Sequence, residues 1–204
     1  MKQDVVNVHV LTITGQGRMR DIKTPARIAA AIVPGAAAPV LQDFQAIWDT
    51  GATSTCISQK VVDMCGLTPT GMVQMHTASG VQNTPVFLIC MRLPGGVGFT
   101  PLRVSLVTLT GADVLIGMDV ITQGDFALTN AGGRTMFSFR YPPDQHIDFH
   151  APLKAIVEAG GGTVKTASPA VLTMPAISVP KVGVPGVNPN HNRKQRRDAQ
   201  RGKR

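Results

Sequence analysis

The sequence predicts an all-β fold with one or two short helices. Glycine and proline, at 21 and 15 of 204 residues, together exceed one residue in six, which favours many turns over long helices. Short Val-, Ile- and Thr-rich runs recur between turn residues, as in 5–14, 73–93, 102–109 and 126–139. Helix start and stop signals bracket only brief segments.

Taken in order, residues 5–14 (VVNVHVLTIT) alternate partly and read as a strand, and 15–26 as a basic loop. Residues 27–41 are Ala-, Pro- and Val-rich and carry no clear period. Phe44 to Trp48 reads as a strand entering the turn Asp49-Thr50-Gly51-Ala52. Ser58 to Cys65 reads as a short helix, capped by Ser58 and stopped by Gly66. Val73 to Leu93 reads as two strands around the polar tip Thr77-Ala78-Ser79-Gly80, where Gly80 can take positive φ. Pro94-Gly95-Gly96 is a turn, and Leu102–Leu109 a strand. Val114-Leu115-Ile116-Gly117 is a buried apolar strand ending in glycine, and Asp119 starts a short helix through Ile121. Phe126–Thr129 and Thr135–Phe139 are strands joined by the turn Asn130–Gly133.

The organisation follows: an N-terminal extension over 1–40 that is partly strand, a folded domain over 41–150, a Pro/Gly/Val/Ala-rich linker over 151–190 expected to be disordered, and a basic tail over 191–204. The net charge of +8 sits mostly in that tail. Residues 193–204 carry a net +6, whereas 27–150 carry a net −2. A basic body would argue for nucleic acid, and this body is mildly acidic. The tail could make unspecific nucleic-acid contacts through phosphates; it lacks aromatic residues for base stacking. With aromatics at 4%, the core is expected to rest on Val, Ile, Leu and Met. The N-terminus has no apolar signal-peptide run, and no apolar stretch is long enough to span a membrane. Cys56, Cys65 and Cys90 have no metal or redox spacing, so free thiols in a reducing cytoplasm are expected. His146, His150 and His191 show no ligand pattern, and neither a metal nor a cofactor is implied.

One turn carries chemistry. Ile47-Trp48-Asp49-Thr50-Gly51-Ala52-Thr53 presents a carboxylate where an apolar strand ends. Two carboxylates about 3 Å apart share a proton, so one can activate a water while the other protonates a carbonyl oxygen. No other Asp-Thr/Ser-Gly occurs in the chain: Asp63, Asp113, Asp119 and Asp125 are followed by Met, Val, Val and Phe. The second carboxylate must therefore come from another copy, which predicts a twofold homodimer.

The chain resembles a retropepsin, the retroviral-type aspartic protease, and more closely the bacterial and cellular relatives. Three features match in order: Ile47–Ala52, the glycine-bearing hairpin Thr77–Val81, and Val114-Leu115-Ile116-Gly117-Met118-Asp119. The match covers about one lobe, residues 44–140. The resemblance implies a closed, barrel-like acid protease lobe acting as a homodimer on extended peptides. It implies Asp49 as the catalytic acid/base, with Thr50, Gly51 and Ala52 completing the active-site loop. Thr50 would bond across the dimer axis, and Gly51 would admit the substrate backbone. Thr77, Ala78, Ser79, Gly80 and Val81 would form the substrate-binding flap. Leu115, Ile116 and Gly117 would support the Asp loop. Retroviral enzymes usually carry an acidic residue at the position of Thr53 and an arginine at that of Met118, a pair this chain lacks together. The alternative is a non-catalytic retropepsin-like dimerisation module that presents the basic tail to nucleic acid. A lobe active only with a different partner chain is a further alternative.

Overall fold

The computed structural model describes residues 7–32, 35, 37–77 and 80–149. The linker and tail expected over 151–204, and the flap residues Ala78 and Ser79, lie outside the described residues.

Among the described residues, the unit Met1–Asp148 holds ten strands and two short α-helices. They are β1 (His9–Thr14), β2 (Ile22–Ala30), β3 (Gln42–Trp48), β4 (Cys56–Ile57), α1 (Gln59–Cys65), β5 (Gly71–Thr77), β6 (Gly80–Arg92), β7 (Gly98–Leu106), β8 (Val114–Ile116), α2 (Met118–Ile121), β9 (Asp125–Thr129) and β10 (Met136–Tyr141). The expected all-β fold with short helices is the observed one.

Seven strands run in the order β2-β3-β8-β4-β7-β6-β5, and β2 also pairs with β6. That extra pairing, Arg27↔Arg92 through Ala30↔Ile89, closes six strands into a ring with β5 outside it on β6. Closure removes most sheet edges, which would otherwise expose unpaired backbone groups. A second sheet, β1-β10-β9, is antiparallel throughout.

Several sequence expectations change; the strand expected over Leu102–Leu109, for one, runs from Gly98 to Leu106. Residues 22–26 are strand, not loop. Ile22, Thr24, Ala26 and Ile28 alternate inward along β2 and are all buried. Pro25 hides this pattern, because proline lacks a ladder donor. It is tolerated here because β2 meets β6 only from Arg27 onward, leaving one side of Pro25 unpaired. The core also leans on aromatics despite their scarcity. Trp48 lies with its ring centroid 4.9 Å from each of Phe137 and Phe139, and 6.0 Å from Phe126. The indole Nε1 donates to Thr24 Oγ1 at 3.0 Å. The sheet β1-β10-β9 is thereby pinned beneath the strand that carries Asp49.

Helix α1 has the expected bounds, with Gly66 at its C-terminal end in the left-handed conformation (φ 59°). Ser58 sits at the N-cap position, but its side chain makes no capping bond.

Candidate active site

The site begins with β3 and β8, which lie parallel with Trp48 beside Ile116. Asp49 N donates to Ile116 O at 2.9 Å, so the ladder runs one residue past the strand and fixes the start of the turn. The turn closes through Ala52 N donating to Asp49 O at 3.3 Å. Gly51 N donates to Asp49 Oδ1 at 2.8 Å, a local side-chain bond typical of Asp at turns. Asp49 is half-buried, while Thr50 and Gly51 are exposed at the tip.

Below the tip the loop is tied to α2. Met118 N donates to Ala52 O at 2.8 Å, and Asp119 N to Thr53 O at 3.2 Å. Asp119 Oδ1 accepts from Thr55 N at 2.9 Å and from Thr55 Oγ1 at 2.7 Å. The same Thr55 hydroxyl accepts from Gly117 N at 3.2 Å. Gly117 comes so close that a Cβ there would stand 2.6 Å from Ser54 C and 2.7 Å from Ser54 O. Only glycine fits between β8 and the loop.

Ile47 and Leu115 are adjacent in register and both half-buried, on the strand faces opposite the buried Trp48 and Ile116. They place an apolar surface on the same side of β3 as Asp49. An open groove of about 560 Å³ is lined by Gly51, Ala52, Thr53 and Ser54 of the loop and by the hairpin strand β5. Val73, Gln74 and Met75 line it from β5, with Val73 and Met75 half-buried and Gln74 exposed. Of the flap residues, Thr77 pairs with Gly80 in register, and Gly80 takes φ 112°. Val81 is exposed.

Thr55 stands outside the motifs read from the sequence and Asp119 only ends the third of them; their bond spans 64 residues, which no local pattern shows. Arg103 also stands outside every motif, and β7 brings it to the groove.

Cys56 lies directly behind the loop. Burial, and secondarily the nearby Asp119 carboxylate, push its thiol up to about 11. Cys56, Cys65 and Cys90 are all free. Among the described residues, no group of three or more His, Cys, Asp or Glu side chains is placed to hold a metal ion. No helix among them is long and apolar enough to cross a membrane.

Residues 41–123 match the family model described as gag-polyprotein putative aspartyl protease. The chain is similar to a solved retropepsin-like aspartic protease from Rickettsia conorii, at 12% identity over 68% of this chain and 98% of that one, with a TM-score of 0.41. It is also similar to the protease of simian foamy virus (mac), at 19% identity over 50% of this chain and 92% of that one, TM-score 0.34. A third similar structure is the retroviral protease-like domain of Ddi1 from Leishmania major, at 17% identity over 59% and 95%, TM-score 0.35. No curated protein matches the chain significantly in sequence.

Proposed function

We propose that this retropepsin-like chain is an aspartic endopeptidase, active as a homodimer that joins two Asp49 carboxylates. One observation carries the reading. Asp49 stands at a strand end on a loop held by the Ile116, Met118 and Asp119 backbone, while the loop tip, Thr50 and Gly51, is exposed. A rigid, exposed tip with one carboxylate suits pairing with a copy of itself about a twofold axis.

In that dimer the two carboxylates share one proton. The ionised one takes a proton from a water, which attacks the peptide carbonyl. The protonated one donates to the carbonyl oxygen. No covalent intermediate forms. Thr50 ties the two loops across the axis, and Gly51, lacking a Cβ, lets the substrate backbone approach. Ala52 continues the loop toward the groove. Residues Thr77, Ala78, Ser79, Gly80 and Val81 close over the peptide and hold its main chain. Leu115, Ile116 and Gly117 keep the loop in place from below, and Ile47 with Leu115 offers an apolar seat beside the scissile bond. Substrates are extended peptides, and the free thiols suit a reducing compartment such as the cytoplasm.

The test is cleavage of a mixed peptide library from pH 4 to 7 by wild type and Asp49→Asn, with the mass in solution measured in parallel. The reading expects a dimer, cleavage by wild type alone, and a bell-shaped pH profile from the shared proton. Cleavage that survives Asp49→Asn would overturn it. A dimer that cuts nothing would favour the non-catalytic dimerisation module, and a monomer at all concentrations a different partner chain.

A further inference from the structure

The groove beside the Asp49 loop holds one charge for which the proposed reaction has no use. Among the described residues lining it, Arg103 is the single cation, on a wall that also presents Thr53, Ser54 and Ser105. Position and alternation explain its presence. On β7, Leu102 and Val104 point into the core and are buried, which turns Arg103 the other way. Ser105, two residues on, pairs with Cys56 directly behind the Asp loop. Arg103 therefore stands roughly 7 Å further along the same strand face. Val73, Gln74 and Met75 of β5 also line the groove.

Arg103 is exposed, and no carboxylate among the described residues forms an ion pair with it. Asp119 is the one acid among the described residues lining the groove, and its Oδ1 is occupied by Thr55 N, Thr55 Oγ1 and Val120 N. It offsets part of the positive potential without neutralising the guanidinium. A cleft with low-dielectric walls concentrates the remaining field more than an open surface does. The guanidinium fork suits a carboxylate, and the hydroxyls of Thr53 and Ser54 can add neutral donors.

We propose that Arg103 selects substrates bearing a carboxylate side chain, Glu or Asp, at the position that occupies this groove. The apolar Ile47/Leu115 surface then receives a different substrate side chain, so a cleaved sequence combines an apolar residue at the bond with an acid away from it. This rests on the endopeptidase reading above. It predicts discrimination against Lys and Arg at the same position, through repulsion by Arg103.

The test compares peptides that differ only by Glu, Gln or Lys at each position flanking one cleaved bond. The full-length dimer is used at pH 6, where a peptide Glu is ionised. The expected result is a preference for Glu over Gln at one position of about two- to fivefold in kcat/KM, as for a partly screened charge pair. The ratio falls as salt is raised. Arg103→Gln brings it close to one, and Arg103→Glu shifts the preference to Lys. Because Arg103 is exposed, both variants are expected to fold, which the tryptophan emission of Trp48 checks. Cleavage that depends on Asp49 but shows no charge preference overturns this proposal alone. So does a Glu preference that survives Arg103→Gln. Failure of the wild-type dimer to cut any peptide overturns the endopeptidase reading, and this proposal with it.

Discussion

The Thr55 hydroxyl donates to the Asp119 carboxylate at 2.7 Å and accepts from Gly117 N at 3.2 Å, joining the Asp49 loop, strand β8 and helix α2 through one buried side chain. Thr55 is fully buried, so no water replaces it. Thr55→Val keeps the shape and removes both bonds. It should cost about 1–3 kcal/mol of stability, the usual penalty for buried polar groups left unpaired. Asp119→Asn, which retains an acceptor oxygen, should cost less. Urea unfolding of the two single variants and the double variant checks this; the pair predicts non-additive losses.

Gly117 sets a steric condition on the same loop. Gly117→Ala forces a methyl group against the Ser54 carbonyl, whose atoms belong to backbone that cannot step aside cheaply. A loss of about 1–3 kcal/mol is expected, with reduced peptide cleavage from a displaced Asp49 loop. Gly71→Ala is the control. A Cβ there would sit 3.7 Å from Val86 Cγ2, ordinary contact, and its effect should stay within about 0.5 kcal/mol.

Trp48 is the single tryptophan of the chain, so its fluorescence reports on the layer beneath the site. Thr24→Val strands the buried indole N–H, whose acceptor is Thr24 Oγ1. The expected loss is about 1–3 kcal/mol by fluorescence-monitored unfolding. Unchanged stability would mean that the indole finds another acceptor.

Acid should weaken the fold partly through Asp125. Backbone N–H donation from Asp144, then the Arg140 guanidinium and Gln145 N–H, hold its carboxyl below the usual Asp range. In the unfolded chain this group takes up its proton at the ordinary value, before the folded one does. Its contribution is therefore present above the ordinary Asp pKa and is lost as pH falls through the lower folded value. Stability measured from pH 6 down to pH 2 should fall less steeply below the ordinary Asp pKa in Asp125→Asn than in wild type.

Cys56 should resist alkylation. With its thiol pushed up to about 11 by burial and by Asp119, almost no thiolate exists near pH 8.5, and the group is covered. Iodoacetamide should leave Cys56 unmodified in the native protein and label it once urea unfolds the chain, as read by peptide mass. Rapid native labelling would show that the loop opens.

Much of this architecture is local and therefore readable. The Asp49 turn, the Ser58-to-Gly66 frame of α1 and the glycine-bearing hairpin ending at Gly80 depend on residues a few positions apart. The same holds for the short strand Val114–Ile116, which stops at a glycine. What escaped local reading has a physical cause in each case. Pro25 masked an inward alternation that works only because β6 arrives after it. The aromatic layer draws Trp48, Phe126, Phe137 and Phe139 from distant segments, so a low aromatic percentage understated its share of the core.

The sequence by itself determined which carboxylate stands at the turn, that the chain holds one such turn, and that the elements around it are short strands. Those outcomes follow from turn chemistry, glycine freedom and a period of two, all properties of neighbouring residues. Only the tertiary structure decided that Thr55 would meet Asp119, that Gly117 would lie against Ser54, and that Arg103 would line the groove. These meetings arise because β4 pairs with β8 on one side and β7 on the other, which brings residues dozens of positions apart into contact, and no local pattern encodes that.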